Sequence, residues 1–286
     1  MPGDPASIML GTEAADPQKL KSARKRLGLD EPLYQQYFSW ISGVVTGDLG
    51  ISLRTEKPIS QLIIRRFPFT IELAVYSLLL ALIIAVPLGT FSAAFDSDLL
   101  EILVQGIMLI GMSIPAFWSG IIAILVFSVY LDLFPLVNFP YLWNAPLQNL
   151  YSLLLPAIVL AIPNAAVFLR MMRSSSLENL QEDYIRTARA KGLPESIVLF
   201  KHLFKNALIP LITLMGIRMG YLLGGSVIVE QVFSIPGLGR LGVQAIFQRD
   251  YPVFQSMVLM VTGSFVIVNL IVDILYAYID PRIRYS

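Results

Sequence analysis

Five stretches of this chain stay apolar for about 20 residues or more: Phe69 to Phe95, Leu99 to Leu131, Leu150 to Leu169, Ala207 to Val232 and Val253 to Ile279. At 1.5 Å per residue, about 20 residues match the roughly 30 Å of a bilayer's hydrocarbon core. Backbone polar groups in hydrocarbon must be satisfied within the segment, so each stretch is predicted to be a helix. The second is long for one crossing and holds Ser113-Ile114-Pro115 near its middle, which predicts a kinked span or one with an interfacial first half. Pro87, Pro156 and Pro163 lie inside the first and third stretches, a placement that membrane helices tolerate. Charged residues make up only 14% of the 286 and hydrophobic residues 56%. That leaves too little polar surface for a soluble globule. The expected class is an all-α polytopic membrane protein with five transmembrane helices.

Basic residues set the expected orientation. The connection between the third and fourth spans holds Arg170, Arg173, Arg186, Arg189, Lys191, Lys201 and Lys205, and the tail adds Arg282 and Arg284. The connection from Asp132 to Asn149 has neither lysine nor arginine. The positive-inside rule places the large connection and the C-terminus in the cytoplasm, and five spans then put the N-terminus outside. Residues 1–67 form an external N-terminal region and 68–286 the transmembrane domain, with a cytoplasmic region at about 174–206 and an external loop at about 233–252. Residues 1–67 carry nine basic and seven acidic residues and no signal-peptide pattern. Either the segment crosses as a tolerated long loop, or a span precedes it in the natural protein; the second is expected. Helices are predicted from Pro17 to Leu27, capped by Asp16, and from Pro32 to Val45.

The residues argue against catalysis. There is no phosphate-loop motif, no cysteine, and a single histidine, His202, placed in the cytoplasmic connection. Only Asp273 among the aspartates lies within a span, so a two-aspartate membrane protease is disfavoured. No metal site is expected, and 21 basic against 20 acidic residues give no field for nucleic acid.

The strongest local signal runs from Asp183 to Ser196. Glu182 and Asp183 favour a helix start and Lys191-Gly192 a helix stop. Ile185, Ala188 and Ala190 offer a small apolar surface flanked by arginines, and a second helix is predicted from Glu195 to Lys205. The segment reads as a solvated basic loop on anionic lipid or as a protein-docking element; the docking reading is preferred.

The run Asp183–Pro194, followed by Asn206-Ala207-Leu208-Ile209-Pro210, resembles the cytoplasmic signature loop of ABC-importer permeases. More narrowly, the chain is similar to the B-type permease of the dipeptide, oligopeptide and nickel family. Pro2-Gly3-Asp4-Pro5, Leu27-Gly28-Leu29-Asp30, Gly47-Asp48-Leu49-Gly50, Ser113–Trp118, Gly224-Gly225, Glu230, Pro236–Arg240, Arg249–Pro252 and Asp280-Pro281-Arg282 agree. The likeness covers essentially the whole chain. Two departures stand out. The general signature begins Glu-Ala-Ala, whereas Arg186-Thr187-Ala188 precedes Gly192 here, so a salt bridge built on that glutamate does not carry over. The family's span before Pro2-Gly3-Asp4-Pro5 is also missing from this sequence.

The resemblance implies a type I ABC importer permease fold in the bacterial or archaeal cytoplasmic membrane. It implies partners: a C-type permease, two ABC ATPase subunits that hold ATP and magnesium, an extracytoplasmic substrate-binding protein and the lipid bilayer. No cofactor is expected in this chain. Asp183, Tyr184, Arg186, Thr187, Ala188, Arg189, Ala190, Lys191, Gly192 and Leu193 would couple to an ATPase. Pro236, Gly237, Gly239, Arg240, Arg249 and Asp250 would face the binding protein. The expected cargo is dipeptides or oligopeptides, with nickel chelates or glutathione as alternatives. An ATP-independent secondary transporter or channel is the competing class.

Ionisable residues within spans are costly and call for partners. Glu72, Glu230 and Asp273 fall near span ends. Arg218 falls mid-span, on the opposite side from Gly216, Gly220 and Gly224, whose spacing suits close helix packing. Arg218 and Glu230 are assigned to the pathway or the subunit interface.

Overall fold

A computed structural model describes residues 4–11, 16–94, 102, 106, 109–135 and 138–279. Pro2-Gly3, most of the first half of the second span and Asp280–Arg284 lie outside the described residues. Among the described residues, four helices are long and apolar enough to cross a membrane: Ile59–Ala94, Pro146–Leu180, Glu195–Gly225 and Tyr251–Ile274. Ala116–Tyr130 is a shorter apolar helix. It starts after Pro115, where the chain breaks as the Ser113-Ile114-Pro115 run predicts, and its last turns, Ile124–Tyr130, widen to π geometry.

The chain divides into two compact units. One comprises residues 1–69 with 236–261. Asp16 caps the helix Pro17–Arg26 by accepting from the backbone amides of Gln18 and Lys19. Leu33–Thr46 ends on left-handed Gly47. The unit's core joins Ile59 and Ile63 to Leu238, Leu241, Ala245, Val253 and Met257. It thus packs the N-terminal ends of the first and last long helices together, so both enter the bilayer from one side.

The glycine-rich stretch after Pro236, expected as a loop, contains the helix Leu238–Gln248. Glycine costs a helix about 1 kcal/mol relative to alanine. The burial of Leu238, Leu241 and Ala245 on one face offsets that cost.

The second unit, residues 70–235 with 262–286, holds the rest of the spans. Its core is built of small residues: Ala81 and Ala85, Ala161, Ala165 and Ala166, and Ala207 surround Phe168, Met172 and Leu211. Gly89 abuts Met172, leaving no room for a side chain. The separate helix expected from Glu195 to Lys205 is continuous with the following span through a π segment, Val198–Leu203. That span ends at Gly225 rather than Val232, and a short helix, Val227–Val232, follows the turn at Ser226.

Candidate functional site

Between two long helices stands the eight-residue helix Asp183–Ala190. Its inward face is Ile185 and Ala188, three residues apart. They join Val198 and Leu203 in a small buried cluster backed by Leu180, Tyr184, Leu193 and Leu199. The Tyr184 hydroxyl donates to Asn179 Oδ1 at 2.7 Å, tying the short helix to the end of the preceding span. Gly192 turns the chain with φ of 73°, a left-handed conformation that glycine adopts without steric cost.

Across that turn Arg189 grips Glu195 with two bonds, Nη2 to Oε1 at 2.6 Å and Nε to Oε2 at 3.3 Å. Hydrogen bonding to Glu195, against a smaller opposing effect of desolvation, raises the Arg189 guanidinium above its usual pKa. Asp183, Arg186, Thr187, Ala190 and Lys191 are exposed. Asp183 and Arg186 approach within 3.6 Å at the surface. The segment therefore has a supported inner face, including Ala188 and the half-buried Leu193, and a charged outer face available to a partner.

A second group of predicted residues sits at the opposite end of the spans. Glu230 is fully buried; Thr70 donates to it at 2.8 Å and Ser226 at 3.0 Å. Close by in sequence to Thr70, Glu72 accepts from Asn149 Nδ2 at 2.7 Å. Asn149 also donates to the Pro140 carbonyl and accepts from the Tyr76 hydroxyl. These bonds link the starts of the first and third spans and the helix that follows the fourth. Glu230 is thus a buried anchor between helices. Asn149 is a participant that sequence reasoning missed; its only signal was an amide at the start of an apolar run.

Gly216 and Gly220 pack against the last span, where a methyl at either would overlap Val272 or Phe265. Gly224, predicted on the same seam, is exposed. Arg218 is half-buried and makes no hydrogen bond or ion pair with a described residue.

In the other unit, Asp250 is buried and accepts from Ser52 Oγ at 2.5 Å and the Leu53 amide at 3.2 Å. It pins the 52–55 turn to the end of Leu238–Gln248 rather than presenting a polar contact. Gly237 and Gly239 are buried and Pro236 and Arg240 half-buried; Arg249, with φ of 58°, is exposed.

Residues 85–285 match the family described as binding-protein-dependent transport system inner membrane component. Residues 1–74 match that family's N-terminal region. The chain belongs to this family. The permease is 43% identical over 286 residues to the glutathione transport system permease protein GsiC of Escherichia coli O6:H1, covering all of this chain and 90% of that one. It is 42% identical to a putative peptide transport system permease protein of Brucella abortus, again over all of this chain and 91% of the relative. Its fold is similar to that of a chain of the MetNI methionine ABC transporter, solved in inward-facing conformations, with a TM-score of 0.64 at 20% identity. That likeness covers 77% of this chain and 97% of the other. The permease is a multi-pass inner-membrane subunit of an ABC importer and works with other components of such a system.

Proposed function

We propose that this permease carries peptides or glutathione, the cargo classes of its relatives, as a non-catalytic half of the pathway. The observation that carries the reading is likeness over the whole chain to a glutathione permease and a peptide permease. Its partners are a second, C-type permease, two ATPases that hold ATP and magnesium, and a substrate-binding protein. The segment from Asp183 to Leu193 seats on an ATPase through its exposed face, with Arg186, Thr187, Ala190 and Lys191 as contacts. Ala188 and Tyr184 hold that face in place from behind. The C-terminus is cytoplasmic and the N-terminal region external, a reading supported by the bias of basic residues toward the 170–205 connection and the tail. Arg218 faces the pathway or the second permease, because lipid is the costliest surroundings for a guanidinium at that depth. Arg240 and Arg249 lie toward the binding protein.

The test is uptake by the purified complex in proteoliposomes, with glutathione and peptides of two to six residues offered separately. ATP-dependent uptake of one of these is expected. Uptake without ATP would defeat the importer reading. Arg186→Glu with Lys191→Glu should reduce transport-linked ATP hydrolysis severalfold while the complex's melting temperature stays unchanged. Unaltered hydrolysis in that variant would remove the segment from the ATPase contact.

A further inference from the structure

The helix Leu33–Thr46 has 14 residues, none charged and none buried. At 100° per residue its side chains sort cleanly. Leu33, Tyr34, Tyr37, Phe38, Ile41 and Val45 fall on one arc of about 140°, and Gln35, Ser39, Ser42 and Thr46 fall beyond it. Leu33, Gln36, Tyr37, Ser39 and Trp40 line a groove of about 570 Å³ shared with Gly50, Ile51, Tyr251 and Gln255. The apolar edge turned from that groove is open: Phe38 is 64% exposed and Val45 82%. A helix of this length with nothing buried is marginal in water. Something must cover the edge.

We propose that this edge lies in the headgroup region of the bilayer, so that Leu33–Thr46 is an interfacial helix. Three observations select lipid over a protein. First, the helix belongs to the same compact unit as the opening turns of two spans, Ile59–Phe69 and Tyr251–Val261, so a bilayer is within reach whatever else the permease binds. Second, the face is made of Tyr, Phe and branched aliphatics with no ionic rim. Aromatic side chains are enriched at a membrane–water boundary, and the uncharged border of Gln35, Ser39, Ser42 and Thr46 offers no ionic groups for pairing with a protein partner. Third, the helix before it, Pro17–Arg26, holds five basic residues and no acid; Arg24 pairs with Asp4, while Lys21 and Lys25 are exposed. That charge complements anionic headgroups. The inference needs only that the chain spans a membrane, and it stands apart from the choice of cargo.

The chain has no cysteine, so single labelling sites carry no background. Phe38→Cys, Val45→Cys and, as the polar-edge control, Gln35→Cys would be spin-labelled in the assembled complex. The complex would sit in nanodiscs of phosphatidylethanolamine and phosphatidylglycerol. Collision with oxygen, which partitions into lipid, is compared with collision with a water-soluble nickel chelate. The labels at positions 38 and 45 should favour oxygen severalfold over the label at position 35. Equal nickel access at all three positions would overturn the proposal in favour of water. Shielding from both reagents, or nickel access lost only when the binding protein is added, would overturn it in favour of a protein partner.

Discussion

The two ends of the span bundle are held by different chemistry. At one end, Thr70 and Ser226 donate to the buried Glu230, and Asn149 bridges Glu72, Tyr76 and the Pro140 carbonyl. At the other, alanines on three helices meet around Phe168 and Met172, and Gly89 lets the backbone of the third span approach. Hydrogen bonds are directional and have one good geometry. Contacts between methyl groups are individually shallow and less exacting in angle. We therefore expect the carboxylate end to fix the register of the helices and the alanine end to accommodate movement, which is also the end that carries the Asp183–Ala190 helix.

That contrast can be broken most forcefully at Glu230. Glu230→Leu leaves the hydroxyls of Thr70 and Ser226 without their shared acceptor. Stranded buried polar groups cost about 1–3 kcal/mol each, so the purified permease should lose several degrees in melting temperature. Glu230→Gln retains an acceptor oxygen and should lose much less. Equal stability in all three proteins would show that the carboxylate is not an anchor.

Next in size is Ala188→Trp at the other end. Overfilling the Ile185–Val198–Leu203 cluster should cost about 1–3 kcal/mol, displacing the short helix and depressing ATP hydrolysis by the complex. Substrate affinity of the binding protein, measured separately, should not move. Normal hydrolysis would mean that the cluster is soft enough to absorb an indole.

Asn149→Leu tests the second knot. It removes donors to Glu72 and Pro140 and should destabilise by about 1–3 kcal/mol, read by limited proteolysis of the 131–145 connection. Unchanged cleavage would confine the register-setting role to Glu230.

The smallest effect is expected at Arg189→Gln. The ion pair with Glu195 is about half-exposed on both sides, and such pairs contribute roughly 0–1 kcal/mol. Because the guanidinium's pKa is raised, its contribution is complete below the usual arginine value, so mildly alkaline buffer should not remove it. High salt should. A melting-temperature loss as large as that of Asn149→Leu would make this strap a principal support.

The spans were legible because apolar length is a local property: the kink at Pro115 and the stop at Gly192 also follow from single residue types. What escaped was anything decided by distant partners. Asp250 looks like an exposed loop acid, yet its acceptor role depends on Ser52, 198 positions away. The helix at Leu238 is masked by three glycines, and only the spacing of Leu238, Leu241 and Ala245 hinted at it. Ala188 could be seen as small and apolar, but the sequence does not say that its surroundings come from Val198 and Leu203 rather than from another chain.

The left-handed turn at Gly192 joins the eight-residue helix to the helix Glu195–Gly225, which is 31 residues long. At 1.5 Å per residue that helix measures about 46 Å, so a tilt of about 5° at its base would carry its far end about 4 Å sideways. The π segment at Val198–Leu203 lies near its base and Pro210 at its midpoint, two places where a bend would change the direction of that stroke. On this geometry, a displacement too small to break the grip of Arg189 on Glu195 would be magnified along the length of the helix.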